Sequence, residues 1–289
     1  MDGILVINKE KDYTSRDVAN IIGKHFNTRK IGHTGTLDPM ACGVLVLCIG
    51  KCLKVVDLIT SYDKEYIARV RLGIETDTLD ITGNVLNKDN NVNVTKEKVV
   101  EVLNSFLGKS IQEVPKYSAV KVNGKKLYEY ARAGIDIELP KRKIEIFDIE
   151  LIDDITYGEY IEFSFRVIVS KGTYIRSLIR DIGYKLGTYA CMSELIRTKQ
   201  GNFDISNSYT IEEVKNGKFK LLNIKDVLDM DKVVVNGELL NKVKNGAIVN
   251  KFFDSDMALI VDELGDEIGI YQIYDKDNKK VKPYKIFWK

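Results

Sequence analysis

The sequence predicts an α+β protein: a mixed, mainly antiparallel sheet flanked by helices, followed by a small β-rich unit. Three observations carry this expectation. Strand and helix patterns intermingle along residues 1–230 with hairpin-like connections, unlike the regular alternation of a doubly wound parallel sheet. Amphipathic helices with readable starts and stops interrupt the strands. Beyond residue 230 the apolar runs become short and are broken by glycine turns. Two domains are therefore expected, residues 1–230 and residues 231–289.

The elements follow in order. "GILVI" at 3–7 reads as a short buried strand. "TSRDVANIIGKHF" at 14–26 has Thr14 and Ser15 as candidate caps, with Val18, Ile21 and Ile22 at helical spacing. "GVLVLCI" at 43–49 is an apolar run of strand length, and "KEYIARVRLGI" at 64–74 alternates as a half-buried strand. "TKEKVVEVLNSFLG" at 95–108 is a helix capped by Thr95, striped by Val99, Val102, Leu103 and Phe106, and ended by Gly108. Residues 142–151 and 160–170 read as two long strands around a turn near Gly158. "TYIRSLIRDIGYKLG" at 173–187 is a second strong helix that Gly187 stops. The pattern weakens over 204–230. Short strands resume in "KVVVNGELLNKVKNGAIVN" and "ALIVDELGDEIGIYQIY".

Composition bounds the function. The chain has 289 residues, 44% hydrophobic and 30% charged, enough for a normal core. A net charge of +2 excludes a polybasic protein but leaves room for a local basic face. No run approaches the ~20 apolar residues of a membrane helix, and the N-terminus lacks a secretory core, so a cytoplasmic protein is expected. Cys42, Cys48, Cys52 and Cys191 make no metal spacing with the two histidines. They read as reduced core thiols, and no metal is expected.

Three segments can carry chemistry. In "KIGHTGTLDPMACGVLVLCIG", residues 30–50, Asp38 stands in a glycine-rich loop ahead of a buried strand, and Pro39 biases it towards extended backbone. A loop held by a rigid strand suits a reactive group. A tight turn in which Asp38 only bonds backbone amides fits the composition equally well. In "VSKGTYIRSLIRDIG", Arg176 falls in the first helical turn, where the helix dipole disfavours a cation. A carboxylate from a neighbouring loop would relieve it; an exposed arginine is the plain alternative. Residues 116–143 hold eight basic and three acidic residues, interleaved with Tyr117, Tyr128 and Tyr130. Cations among aromatics suit a phosphate backbone and unpaired bases, or simply a solvated face.

Four stretches occur in one order and spacing: "GHTGTLDPMACGVL", "KYSAVKVNGKKLYEYARAG", "SKGTYIRSLIRDIG" and "MSELIRTKQGNF". On these the chain resembles the TruB-type bacterial tRNA pseudouridine synthases, over residues 3 to about 230. The end of the chain, "PYKIFWK", is similar to the family's small PUA-type RNA-binding domain. The resemblance implies a pseudouridine synthase catalytic domain, with an insertion at about 121–143 that closes over the T stem-loop of tRNA. It implies isomerisation of uridine 55 in that loop, with no cofactor, by a monomer without an obligate protein partner.

The resemblance also implies roles. Asp38 matches the catalytic aspartate and Arg176 the arginine that pairs with it. Tyr66 matches the active-site tyrosine against the base, Tyr174 a second substrate-contacting aromatic, and Leu195 an apolar contact to the flipped nucleotide. His33 matches a histidine that fills the space the base leaves, since a stacked uridine must be extruded before a protein can grip it. Lys125, Lys126, Arg132 and Arg142 are the candidates for RNA-backbone contact. The chain departs from the family near its start. "NKEKDYTS" stands where "DKPxGxTS" is usual, so Asn8, Glu10 and Asp12 replace Asp, Pro and Gly. That puts any role of this turn in doubt. Two other readings remain: a tRNA-binding folding chaperone, and a guide-RNA-dependent pseudouridine synthase.

Overall fold

Strand β1 (Gly3–Lys9) is buried along almost its whole length, because both of its faces are covered. Leu5 and Ile7 face a core shared with helix α1 (Ser15–His25). Ile4 and Val6 face a second core that includes Leu259, Val261 and Ile270 from the C-terminal region. Strand β2 (Cys42–Ile49) pairs antiparallel with β1 and divides its residues between the same two cores. A strand covered on both faces reads as a continuous apolar run, which is why "GILVI" and "GVLVLCI" show no alternation.

The computed structural model describes residues 1–288; Lys289, the last residue of the expected C-terminal domain, lies outside them. Strand β3 (Lys64–Leu72) alternates strictly between buried and half-exposed positions. The other long strands are β4 (Gly108–Glu113), β5 (Lys141–Leu151), β6 (Ile161–Val169) and β7 (Ala190–Gln200). The sheet runs β1-β2-β7-β3-β6-β5-β4. Neighbours are antiparallel except β2 and β7, which meet in parallel through Ile196 opposite Cys42 and Arg197 opposite Gly43. The expected mixed, mainly antiparallel sheet is observed. Helices α2 (Lys96–Asn104) and α3 (Ile175–Lys185) pack their apolar stripes on the inner face of β3, β6 and β7.

Local chemistry explains the boundaries. Thr14 starts α1 with a capping box, its hydroxyl accepting from the Asp17 amide while the Asp17 carboxylate accepts from the Thr14 amide. Thr95 caps α2 as expected, but that helix closes at Asn104, and Gly108 opens β4. The weak stretch 204–230 forms two short helices and returns to the first strand, with Leu222 bridging Ile4 and Tyr209 bonded to Val6 and Asn8.

The C-terminal sheet takes strands from Asp231–Val234, Met257–Val261, Glu267–Tyr274, Asp277–Ile286 and Val249–Asn250. It has the β-rich make-up of a PUA-like domain. One expectation fails here: "GELLNKVK" forms a helix, Gly237–Lys244, and not a strand. Leu239, Leu240 and Val243 share one face on the local core, Glu238 and Lys242/Lys244 match the helix dipole at each end, and Gly246 at φ +70 ends it. Tyr271 donates its hydroxyl to the carbonyls of Val243 and Ala247 beyond.

Gly43 marks the tightest backbone approach, at the parallel seam. Its φ is +98, and a Cβ there would stand 2.2 Å from the carbonyl oxygen of Arg197. Gly43→Ala should lose about 3–5 kcal/mol, from left-handed strain plus forced separation of the strands. A urea midpoint within experimental error of wild type would show that the seam relaxes freely.

Candidate active site

The loop from Thr34 to Ala41 leads into β2 and is fastened by groups from three directions. The Thr34 amide donates to Val46 O at 3.1 Å, and the Gln200 side chain donates to the Thr34 hydroxyl at 2.8 Å. Arg197 Nη2 donates to Gly35 O at 3.1 Å. The Ser15 hydroxyl, at the start of α1, accepts from the Leu37 amide at 2.8 Å and donates to Leu37 O at 3.2 Å. Lys9 Nζ donates to Pro39 O at 3.2 Å and also to the carbonyls of Glu10 and Tyr13. The Asp12 amide donates to Pro39 O at 2.9 Å, with Asp12 itself at φ +71, in the left-handed region where the family pattern has glycine. The altered N-terminal turn therefore grips the Asp38 loop.

Arg176 projects from the first turn of α3 to meet this loop. Its Nε lies 2.8 Å from Asp38 Oδ2, and its Nη2 donates to Oδ1 at 3.2 Å. The guanidinium thus engages both carboxylate oxygens side-on, a geometry that fixes orientation as well as charge. Nη1 donates to Thr78 O at 2.7 Å and Nη2 to Tyr117 O at 3.0 Å. Asp80 Oδ2 stands 3.9 Å from Nη1. The turn that presents Thr78 O is locked by Asp80, whose Oδ1 accepts from the Thr78 hydroxyl and the Thr82 amide. Leu79 there sits at φ +63, uncommon for a branched residue and held by this network. The α3 N-terminus has no cap of its own. Gln112 of β4 supplies one, accepting from the Tyr174 amide at 2.8 Å and donating to Tyr174 O at 3.0 Å.

A pocket of about 260 Å³ opens over this pair, walled by Asp38, Tyr66, Ser118, Tyr174, Arg176 and Leu195 among others. Tyr66 and Leu195 come from adjacent strands β3 and β7, both buried but for the pocket side. Burial pushes the Tyr174 phenol up, against the pull of Arg142 and Arg176, so it stays protonated at neutral pH. Burial pulls Lys64, also in the wall, down to about 8, and nearby Arg197 adds to the shift. The site thus offers an oriented carboxylate beside an aromatic and an apolar wall, a shape that suits one flat ring held against a carboxylate oxygen.

Five of the expected residues meet here: Asp38, Tyr66, Tyr174, Arg176 and Leu195. His33 does not line the pocket. It ends the short strand Ile31–His33 beside β2, one residue before the loop. Its Nδ1 is buried without a partner, and burial lowers its pKa, with Arg16 and Arg197 adding to the effect, so it is neutral. Lys125, Lys126 and Arg132 do not line the pocket; they follow Ser118 and Ala119, which do. A short hairpin, Lys121–Val122 with Lys125–Lys126, leads into a helix at Leu127–Arg132 anchored by fully buried Leu127. Lys126 and Arg132 both lie 5.3 Å from the Tyr128 ring centroid. Arg142, second in β5, lies near the pocket loop, with Nη1 3.5 Å from the position a Cβ on Gly172 would take.

Sequence reasoning gave no site role to Asp80, Gln112, Lys64 or Arg197, and met Lys9 and Ser15 only as parts of the N-terminal turn. Of the four, Lys64 left a trace, as a charge at an inward position of an alternating strand, where such residues are rare without a task.

Comparisons with known proteins bear on the family and the fold. Residues 23–175 match the family model described as "TruB family pseudouridylate synthase (N terminal domain)", and residues 176–235 match "tRNA pseudouridylate synthase B C-terminal domain". A protein named tRNA pseudouridine synthase B from Caldanaerobacter subterraneus subsp. tengcongensis is 39% identical over 288 residues, covering 99% of both chains. Its namesake from Bacillus subtilis (strain 168) is 41% identical over 301 residues, covering 99% of this chain and 97% of its own. Among solved structures, an H/ACA RNP bound to a substrate RNA containing 2′-deoxyuridine superposes with a TM-score of 0.72 at 24% identity. It covers 99% of this chain and 85% of its own. A Cbf5-Nop10-Gar1 complex superposes with a TM-score of 0.69 at 25% identity, covering 99% and 84%.

Fold and site together define an isomerase of the pseudouridine synthase class. Within that class, the chain belongs to the TruB family of pseudouridylate synthases.

Ser15 tests the fastening of the loop. Ser15→Ala strips the buried Leu37 amide of its acceptor and should cost about 1–3 kcal/mol in urea unfolding. Unchanged stability and unchanged pseudouridine formation together would show that the loop holds its shape without this hydroxyl.

Proposed function

We propose that this protein converts uridine 55 in the T loop of tRNA to pseudouridine, with Asp38 as the reacting carboxylate. The observation that carries the reading is the side-on Asp38–Arg176 pair at the base of a pocket walled by Tyr66, Tyr174 and Leu195. The named activity of the B. subtilis and Caldanaerobacter relatives supports tRNA as substrate.

The bond from N1 of uracil to C1′ of ribose breaks and a bond from C5 to C1′ forms. The proton on C5 leaves and N1 gains one, so the reaction is redox-neutral. Asp38 either adds to the base or assists at the ribose carbon; a carboxylate can stabilise positive charge at that carbon or form a bond. Arg176 keeps Asp38 ionised and aimed. Tyr66 and Leu195 hold the extruded base between a ring and an apolar side chain, and Tyr174 closes the pocket beside them. The pocket volume of about 260 Å³ suits one nucleobase. His33 sits one residue ahead of the wall, where a flat neutral ring can occupy the gap in the RNA stack. Lys125, Lys126, Arg132 and Arg142 bind the RNA backbone.

Residues 1–230 then form the catalytic domain and residues 231–289 a PUA-like RNA-binding domain, working as one chain without a guide RNA. The insertion supports the last point: Tyr117, at its base, is bonded to Arg176, so RNA seated under it bears directly on the ion pair.

Asp38→Asn should lower pseudouridine formation in a tRNA transcript by roughly ten-thousand-fold, with tRNA binding retained; product at near wild-type rate would remove Asp38 from the chemistry. Arg176→Ala should slow turnover on the order of 100-fold while tRNA affinity changes little. Weakened binding with normal single-turnover rates would contradict the orienting role. Purified protein should act on an isolated T-arm hairpin, whereas activity only after addition of guide RNA would favour the guide-dependent reading.

A further inference from the structure

Two cations in the pocket wall lack an acid. Lys64 is 6% exposed and Arg197 1% exposed. Neither has a carboxylate within 4.0 Å among the described residues, whereas Arg176 in the same wall is paired with Asp38. Lys64 Nζ donates to Thr60 O at 2.7 Å and Tyr62 O at 2.6 Å, which accounts for two of its three protons. Lys9, buried nearby, differs: its ammonium is saturated by three carbonyls. Arg197 uses Nε on Val44 O and Nη2 on Gly35 O. Its Nη1 lies 3.4 Å from where a Cβ on Gly35 would stand, so the bare glycine leaves the space over the guanidinium open. An acceptor, Gln200 Oε1, lies 3.9 Å from the same point, but it is fully buried and is not part of the pocket wall. Lys171 adds a third cation to that wall.

A buried charge without a counter-ion is costly, and so is its retention in a fold that pairs its other buried guanidinium. The depressed pKa of Lys64, about 8 from burial and the field of Arg197, reports the same missing anion. Strand register says where that anion would sit. Tyr66 is opposite Arg197, and Lys64 is opposite Gln200, across the β3–β7 pairing. Lys64 and Tyr66 are two residues apart on one face of a strand, about 7 Å. That span is comparable with the reach from a nucleobase to the phosphate of its own nucleotide.

We propose that Lys64, backed by Arg197 and flanked by Lys171, seats a phosphodiester adjoining the uridine that enters the pocket. The proposal rests on the reading that Tyr66 receives the base. It adds a second anchor: the ring is held by the Tyr66–Leu195 walls and the backbone by Lys64. Register between C1′ and Asp38 is then set from both ends of the nucleotide. Loss of the anchor would let the base enter without bringing its sugar to the carboxylate.

The test uses T-arm hairpins carrying one neutral methylphosphonate linkage, placed 5′ of the target uridine, 3′ of it, or in the distal stem. With the wild-type full-length protein, one flanking linkage should lower kcat/KM at least about tenfold, the loss of a charge-assisted contact. The distal linkage should have little effect. In Lys64→Met the unmodified hairpin should show a comparable loss, and the sensitive methylphosphonate should add no more than about twofold, because the partner is already gone. Indifference of the wild type to both flanking linkages would overturn the proposal without reference to any variant. So would a full methylphosphonate penalty persisting in Lys64→Met. Absence of pseudouridine from the unmodified hairpin would remove the functional reading and this proposal with it, whereas normal turnover with indifferent linkages removes this proposal alone.

Discussion

The guanidinium of Arg176 is the joint on which the site depends. Five N–H groups in a fixed plane can bind several partners only if all of them are held in place. Here the partners come from three separate stretches: Asp38 before β2, Thr78 after β3, and Tyr117 at the base of the basic segment. Each stretch is then fixed by others. Asp80 locks the Thr78 turn, and Gln112 caps the helix that presents Arg176. Bringing a cation to a helix N-terminus is unfavourable alone. The carboxylate of Asp38 reverses the balance, and so couples the helix to the loop.

The Asp38 loop is rigid because its backbone is bonded by side chains from elsewhere, more than by its own proline and glycines. Lys9 and Ser15 hold it from the N-terminal side, and Arg197 and Gln200 from β7. The parallel contact of β2 with β7 sets the spacing, and it requires the bare Cα of Gly43. Under the proposed role of Asp38 such outside support matters, since small errors in position cost much of a rate.

The C-terminal sheet is tied to the main sheet by shared core and by polar contacts. Leu259, Val261, Ile270 and Phe287 pack with residues of β1 and β2. Lys51 pairs with Glu267 at 2.7 Å, and Tyr284 donates to Asp57 at 2.6 Å. Apolar continuity of this kind fixes one surface relative to the other.

Much of the fold was legible in the residues. Period-2 and period-3.6 patterns, with Thr14 and Thr95 as caps, located β1, β2, β3, β5, β6 and the three long helices of residues 1–200, but not β4 or the central β7, whose burial does not alternate. "GELLNKVK" was misread because an apolar run of that length fits strand or helix alike, and the choice came from packing on the C-terminal core. At the site, Asp38 stood out by its loop, and Arg176 by breaking the dipole preference. Family motifs named Tyr66, Tyr174 and Leu195. The sequence by itself determined where most long elements run and set Asp38 and Arg176 apart as candidates, because side-chain type and local pattern are short-range properties. Only the tertiary structure decided that Asp38 and Arg176 meet, that Lys9 and Ser15 hold the loop, and that Lys64 and Arg197 stand without an acid. Those facts depend on strand order and on contacts between residues from about twenty to more than a hundred and fifty positions apart, and no local periodicity records them.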